Sequence, residues 1–560
     1  MKKKLNNSFE VNLGVTTTNL DSDGVKNYIW PLSQKNLISL NSALLKETRH
    51  LIQENLPNED WHILHIIYIE IIREAMVLLR SAKSLNQYES MGLCVKAPVK
   101  HFPYYNAMKN KESLLPVVSS RLSYLTNNLS KPPKHLRPLR WLKLLLDQSV
   151  YKRKTVSKVI DSDIVTFVTS NFMEGHVRKL NKNGKNVTLC AFWEWFDLKN
   201  NEIPSLDIDI TNINPAHKEL LEKLAEIIEK HGYPYTNDMA EALTLQTSIL
   251  CKLASFYRNH LLQNHKKNPL PKILWFGSVN EMRARVLRAT VQECGGYTIG
   301  HDHGRGFAMG VTKGELGTVF DFCDELTVYS TFVAKQITEY QKNLFTNGNA
   351  LNLEGKKVKF TGINNCVISH DDIKKYNQLI TVKKRNDKPT VMLIAGVFKG
   401  EHYAGLNILP PDITTLDFQV RLIKHFTNLG YKVLLKAHPE SRISHPDSIF
   451  DNLDVERVNG YVEDQLQNVD LIVFDFMSSA LRTLVMTQMP MIYFDLGYSH
   501  IVGGNKEYLN NRIEIMTGYF DENNRVQIDW KSFKSAVQNA QEKINDTSFL
   551  EKSFGVQGIK

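Results

Sequence analysis

The fold is decided by residues 431–495, which open with YKVLLKA at 431–437 and continue with DLIVFD at 470–475 and PMIYFD at 490–495. These short apolar runs, with a helical stretch at 481–488 before the last one, predict a parallel β-sheet covered by helices on both faces. Ligands of such sheets bind outside the carboxyl ends of the strands. Since polar turns follow the first two runs, this stretch predicts a binding site.

The two polar turns contain hydrogen-bond donors that can bind an anion. The first is HPE at 438–440, and the second is DFMSS at 475–479. Ser478 and Ser479 precede a helix, whose unpaired backbone N–H groups favour a phosphate, and His438 can donate a charge-assisted hydrogen bond to it. Taken singly, the serines are explained as helix caps and His438 as the start of a loop. Their occurrence at consecutive strand ends favours the anion site.

A similar pattern occurs earlier in the chain. KILWF at 272–276 predicts a strand, residues 280–294 a helix and residues 297–300 a strand, and the turn HDHGRG follows at 301–306. Further strands are expected at 325–329 and 358–362. The polar, glycine-containing turn again predicts a site at a sheet edge. We do not expect a metal at HDH, because adjacent side chains on a strand point in opposite directions.

A second α/β unit begins with the strand TVMLIA at 390–395. The loop after it, 396–411, is long, and long loops inside compact domains are often binding loops. We therefore expect Gly396, Lys399 and His402 to line a cleft between the two α/β units.

The N-terminal half has a different pattern. Helical spacing of apolar residues predicts helices at 39–54, 60–84, 216–231 and 238–264. A strand is expected at 160–168, and 188–196 is a strand or a buried turn. The predicted domains are a mainly helical extension at 1–265 and two Rossmann-like domains at 266–385 and 386–560.

Composition narrows the class of protein. The chain has 560 residues, 42% hydrophobic and 23% charged, as in ordinary globular proteins. A net charge of +10 favours an acidic partner, such as a nucleotide, a phosphorylated acceptor or an anionic membrane surface. The six cysteines form no C-x-x-C pair, which argues against zinc and disulfides and fits a reducing cytoplasm. The most apolar segment, 61–79, carries charged residues and is expected to be a buried helix that does not span a bilayer.

One basic stretch, 131–158, surrounds the apolar run at 142–146. A helix of this kind can lie on an anionic membrane, or it can be a solvated face packed by its leucines. Nucleic acid is not expected, because no recognised reader motif accompanies the charge.

Two such α/β units, with His303 and Gly304 in the first and the HP and DFMSS turns in the second, resemble a GT-B glycosyltransferase. They are most similar to bacterial surface-polysaccharide enzymes, namely CDP-glycerol glycerophosphotransferases, capsule Kdo transferases and related surface-carbohydrate transferases. The resemblance covers about residues 268–530. It implies an α/β fold in which two Rossmann-like domains with parallel sheets face a cleft, the first on the acceptor side and the second binding the nucleotide donor.

The resemblance also implies roles for individual residues. The donor-binding set comprises His438, Glu440, Asp475, Ser478 and Ser479, with His438 and the serines on the phosphate and Glu440 on a ribose hydroxyl or the transferred group. His303 would be the general base or bind the transferred group, and Gly304 and Arg305 would line the cleft. The donor would be activated by CMP or CDP, the acceptor would be a glycan or lipid-linked, and neither a metal nor a cofactor is implied. Apart from the resemblance, the cysteine usage predicts a cytoplasmic location and the basic stretch at 131–158 predicts docking at the inner face of the membrane.

Two alternatives remain open. A UDP-sugar 2-epimerase has the same fold, but such an enzyme is expected to have acidic residues after the serine turn. In this sequence ALRT stands there, at 480–483. A non-catalytic GT-B subunit of a polysaccharide assembly complex is the other alternative.

Overall fold

The structure, a computed structural model, describes residues 10–12, 32–56, 58–90, 94–123, 152–153, 159, 162–167, 171–190, 192–196, 204–205, 208–211, 213–277, 282–302, 320–344, 355–381, 388–398, 400, 410–439, 441, 453–497, 501 and 503–558.

Within these residues, strands and helices alternate along most of the chain. The strands are β1 (Glu10–Asn12), β2 (Cys94–Lys96), β3 (Lys152–Arg153), β4 (Ile164–Thr166), β5 (Val187–Leu189), β6 (Ile273–Phe276), β7 (Tyr297–His301), β8 (Glu325–Val328), β9 (Lys359–Gly362), β10 (Thr390–Ile394), β11 (Lys432–Lys436), β12 (Val455–Val458), β13 (Leu471–Phe474), β14 (Met491–Asp495), β15 (Glu514–Thr517), β16 (Tyr519–Phe520) and β17 (Val526–Gln527). The α-helices are α1 (Gln34–Asn55), α2 (Glu59–Ser90), α3 (Pro103–Lys109), α4 (Leu115–Leu122), α5 (Asn171–Lys182), α6 (Pro215–Lys230), α7 (Asn237–Asn264), α8 (Met282–Glu293), α9 (Thr331–Leu344), α10 (His370–Thr381), α11 (Asp412–Asn428), α12 (Ala480–Leu484), α13 (Asn505–Arg512), α14 (Phe533–Glu542) and α15 (Ser548–Ser553). Two 3₁₀-helices span Phe192–Phe196 and Val462–Asn468.

The second sheet has the order β12-β11-β10-β13-β14-β15, with all neighbouring strands parallel. Numbered along the chain from β10, this is the 3-2-1-4-5-6 order of a doubly wound dinucleotide-binding sheet. All four residues of β13 are buried, because helices cover both faces of the sheet. The strands predicted at 431–437, 470–475 and 490–495 are confirmed, each beginning one residue later than expected.

The first sheet has the order β3-β5-β4-β6-β7-β8-β9 and is also parallel. Its strands β3, β4 and β5 come from the N-terminal half, and β4 joins β6 in the register Val165↔Leu274. The predicted boundary at 265 therefore divides one sheet and needs correction. Strands of two or three residues are too short to show a period, so the long helices around them dominated the sequence pattern.

Helix α2 connects the two α/β units. Its first two thirds, including Ile66 and Leu78, lie in the core of the first sheet together with α1, α7 and α8. Near its end, Leu85 and Tyr88 lie in the core of the second sheet with Phe418. The segment 61–79 is a buried helix, as predicted, and no helix in the described parts of the chain is long and apolar enough to cross a membrane.

The C-terminal segment returns to the first unit. Ser330, after β8, donates a hydrogen bond from Oγ to the carbonyl oxygen of Lys552 on α15 at 2.5 Å. The rings of Tyr329 and Phe554 stack with centroids 5.4 Å apart. Residues near the C-terminus thus contact both units, although the sequence placed all of 386–560 in the second domain.

Candidate functional site

The crevice between β10 and β13 is the topological switch point of the second sheet, because β11 and β12 lie on one side of it and β14 and β15 on the other. The loop after β10 contains Gly396, and Asp475 follows β13 directly. The Gly396 N–H donates to Asp475 Oδ1 at 2.6 Å, and Gln419 Nε2 donates to Oδ2 at 2.5 Å. Both oxygens of this buried carboxyl are therefore used within the protein, and Asp475 holds the two loops in position.

Burial raises the pKa of Asp475 to about 6, against the opposing effect of the hydrogen bonds from Gln419 and Gly396. The side chain is 3% exposed. Its charge consequently changes in a range where most surface carboxylates are already ionised.

Neither hydroxyl of the serine turn makes a capping hydrogen bond in the described part of the chain. Ser478 is buried, and its Oγ has no hydrogen-bond partner in the described part of the chain. Ser479 is exposed and occupies the N-cap of α12, but its side chain makes no capping hydrogen bond. Neither serine therefore acts as a side-chain cap, which was the ordinary structural explanation. Helix α12 has five residues, so its dipole is small and an anion here would depend on hydroxyl and backbone N–H donors.

His438 lies at the same edge of the sheet, two residues beyond β11. It is half-buried, and its carbonyl oxygen accepts from Ser441 N at 3.1 Å. The Ser441 Oγ in turn accepts from Phe398 N at 3.1 Å, which joins the loops after β10 and β11. The structure thus brings Gly396, His438 and the serine turn to the carboxyl ends of three adjacent strands.

The remaining predicted site residues lie outside the described residues. They are His303, Gly304, Arg305, Lys399, His402 and Glu440.

The carboxyl edges of the two sheets meet through residues that the sequence pattern did not assign to the site. Tyr329, after β8, is completely buried and is hydrogen-bonded to Arg482 of α12. Burial and nearby Asp302, after β7, raise the pKa of Tyr329 above its ordinary value, and Arg482 partly offsets them. In the sequence, Arg482 stands in the segment after the serine turn where an epimerase would have acidic residues. Its position three residues after Ser479 is the signal that could have placed it at the site.

His301 has a structural role. It is 1% exposed, and its ring packs edge-on against Trp275 with centroids 5.7 Å apart. In the described ranges, no group of His, Cys, Asp and Glu side chains is arranged to hold a metal ion.

The basic stretch at 131–158 is described only in part. Lys152 and Arg153 form β3, an edge strand of the first sheet, and so do not belong to the predicted basic helix. Its other basic residues, and the apolar run at 142–146, lie outside the described residues.

No protein-family model and no curated protein matches the sequence. Among solved structures, the S. aureus MnaA–UDP complex is 11% identical and aligns over 72% of this chain and 91% of that chain, with a TM-score of 0.30. The UDP-GlcNAc 2-epimerase of Methanocaldococcus jannaschii is 11% identical over 72% of this chain and 97% of that chain, with a TM-score of 0.30.

A glycosyltransferase is similar to the same extent. Streptomyces sp. SF2575 SsfS6, complexed with thymidine diphosphate, is 10% identical over 70% of this chain and 93% of that chain, with a TM-score of 0.27. Identities and TM-scores this low carry no argument about activity. The two parallel doubly wound sheets, with their carboxyl edges in contact, give the chain the GT-B architecture.

Proposed function

We propose that this chain is a GT-B transferase that moves a glycosyl or glycerophosphoryl group from a CMP- or CDP-activated donor to a glycan or lipid-linked acceptor of a bacterial surface polysaccharide. The observation that carries the proposal is the buried hydroxyl of Ser478, which has no hydrogen-bond partner among the described residues and lies at the switch point of the second sheet. A buried hydroxyl without a partner costs about 1–3 kcal/mol, which a bound phosphate oxygen would recover.

The donor would lie across the carboxyl ends of β10, β11 and β13. Its phosphates accept hydrogen bonds from Ser478, Ser479 and His438, while Asp475 fixes the loops beneath them and does not touch the donor. Arg482 supplies a positive charge on the same short helix. No metal or cofactor is assigned to this binding.

The test of the donor site is calorimetric titration with CMP, CDP, UDP and GDP. We expect CMP or CDP to bind most tightly, and Ser478→Ala to weaken binding by about 1.5–3 kcal/mol, the range for hydrogen bonds to charged groups. Ser532→Ala is the matched control, because Ser532 is exposed and its Oγ donates to the Asp529 carbonyl within the same domain. A preference for GDP, the absence of nucleotide binding, or wild-type affinity in Ser478→Ala would overturn the assignment.

His303 is proposed as the general base, or as a ligand of the transferred group, on the acceptor side. Support comes from its sequence position, since it follows β7 within a glycine-containing turn. Replacing it with Asn should lower turnover by about 10²–10⁴-fold and leave CDP affinity and melting temperature unchanged. Normal turnover in His303→Asn would show that the base is another residue.

The same assays separate the two alternatives. An epimerase would convert a UDP-sugar without an acceptor, and a non-catalytic subunit would bind nucleotide without turnover. Arg482 on α12, in place of an acidic residue, favours the transferase.

We also propose a cytoplasmic location at the inner face of the membrane, supported by the net charge of +10 and the basic stretch at 131–158.

A further inference from the structure

A small cavity lies where the N-terminal helices meet the second domain, away from the switch point. It has a volume of about 50 Å³ and lies between α2, the start of α3 and the start of α11. Its walls are mainly apolar and include the rings of Tyr88, Phe102 and Tyr105 and the side chain of Ile413. These walls favour an apolar group.

One of the residues that line the cavity carries a hydrogen-bond donor without a partner among the described residues. Tyr88 is 2% exposed, and its hydroxyl has no hydrogen-bond partner in the described part of the chain. Burial raises the pKa of Tyr88 well above its ordinary value, so the hydroxyl keeps its proton and can donate it to an acceptor. An occupant with one well-placed acceptor would remove the cost of this unsatisfied group.

The charged side chains and the volume of the cavity limit which chemical groups it can bind. The two charged side chains of the cavity, Arg80 and Asp412, have opposite signs, so the cavity does not select an ion of either sign. Asp412 Oδ2 accepts from Gly400 N at 2.9 Å, which fixes the carboxylate. A benzene-sized ligand occupies a cavity of about 150 Å³, so this cavity admits a group about a third of that size.

We propose that this cavity binds a neutral acyl group, with its methyl group against the aromatic walls and its carbonyl oxygen accepting from the Tyr88 hydroxyl. An acetyl or acetamido group has this combination of small size, an apolar end and one strong acceptor. The inference concerns binding alone and does not depend on the proposed transferase activity.

Saturation-transfer NMR of acetamide with the full chain tests it, with acetate and choline as charged probes. We expect transfer to the acetamide methyl protons and weaker transfer to both charged probes. Tyr88→Phe, which removes only the hydroxyl, should weaken acetamide binding about five- to tenfold, as expected for one lost hydrogen bond. Ser84→Leu, which fills the cavity from α2, should abolish binding, and Tyr431→Phe, on a half-buried tyrosine outside the cavity, should leave it unchanged.

Unchanged melting temperatures establish that the variants are folded. No transfer to acetamide in the wild type, equal binding in Tyr88→Phe, or stronger transfer to acetate or choline than to acetamide would each contradict the proposal.

Discussion

At the scale of single residues, Asp475 ties the loop after β10 to α11 at the edge of the second sheet, through hydrogen bonds from Gly396 and Gln419. The order of polar turns after apolar strands placed His438 and the serines at one sheet edge, where the structure brings them together. It could not show that Asp475 points inward and holds Gly396 and Gln419, because alternation along a strand does not extend into the turn that follows it. Tyr329 was missed because its partner, Arg482, is distant in sequence.

The pKa of Asp475 gives a prediction at this scale. Because its folded-state pKa is raised to about 6, its contribution to stability is fully present below the unfolded-state value and is lost as pH rises through about 6. Asp475→Asn keeps an acceptor for the Gly396 N–H and cannot ionise. Its melting temperature should therefore exceed that of the wild type at pH 8, with a smaller difference at pH 5. Calorimetric melting across this range measures the effect, and a variant less stable than the wild type at pH 8 would show that the native carboxyl must be ionised.

At the scale of elements, the most regular apolar patterns were predictable. The helices at 60–84 and 238–264 and four of the six strands of the second sheet were predicted, because their apolar pattern extends over the whole element, whereas β12 and β15 were not predicted. A strand was expected at 160–168, where β4 lies, and a strand or buried turn at 188–196, where β5 ends, but local pattern could not show that β4 pairs with β6. That pairing, between segments distant in sequence, places these strands in the first sheet.

Helices α1 and α2 are held to the first sheet by a buried charge cluster. Asp321 is fully buried, forms an ion pair with Arg49, and accepts a hydrogen bond from Tyr68 at 2.5 Å. Burial would raise the pKa of Asp321, but Arg49, His65 and Tyr68 outweigh it, and the net pKa is lowered. Such a carboxylate stabilises the fold above its unfolded-state pKa and loses that effect as pH falls through the folded-state value.

Asp321→Asn is therefore expected to lower the free energy of unfolding by about 3–5 kcal/mol at neutral pH, because it removes the buried carboxylate that pairs with the Arg49 charge. Urea unfolding measures the loss, and the difference from the wild type should shrink in acid. Asp454→Asn, at an exposed position, is the control and should have little effect. A loss at Asp321 no larger than at Asp454 would mean that the cluster does not hold the helices.

At the scale of the whole molecule, the N-terminal half is part of the α/β units and not only an extension of them. It completes the first sheet through β4 and β5, and α2 lies in the cores of both units. At the other end of the chain, α15 returns to Ser330 of the first unit. The two units are thus joined at both ends of the chain, which fixes the facing edges that carry Tyr329 and Arg482.

Hydrogen–deuterium exchange with and without saturating CDP tests whether the carboxyl edge of the second sheet binds a nucleotide donor. Bound CDP should slow exchange in peptides covering 395–398, 437–439 and 475–482, because these residues lie at the carboxyl edge of the second sheet. Exchange in α6, residues 215–230, should stay unchanged, because this helix packs far from that edge on α1 and α7. Protection confined to the first sheet or to α2, or no protection at any segment, would contradict a nucleotide site at the carboxyl edge of the second sheet.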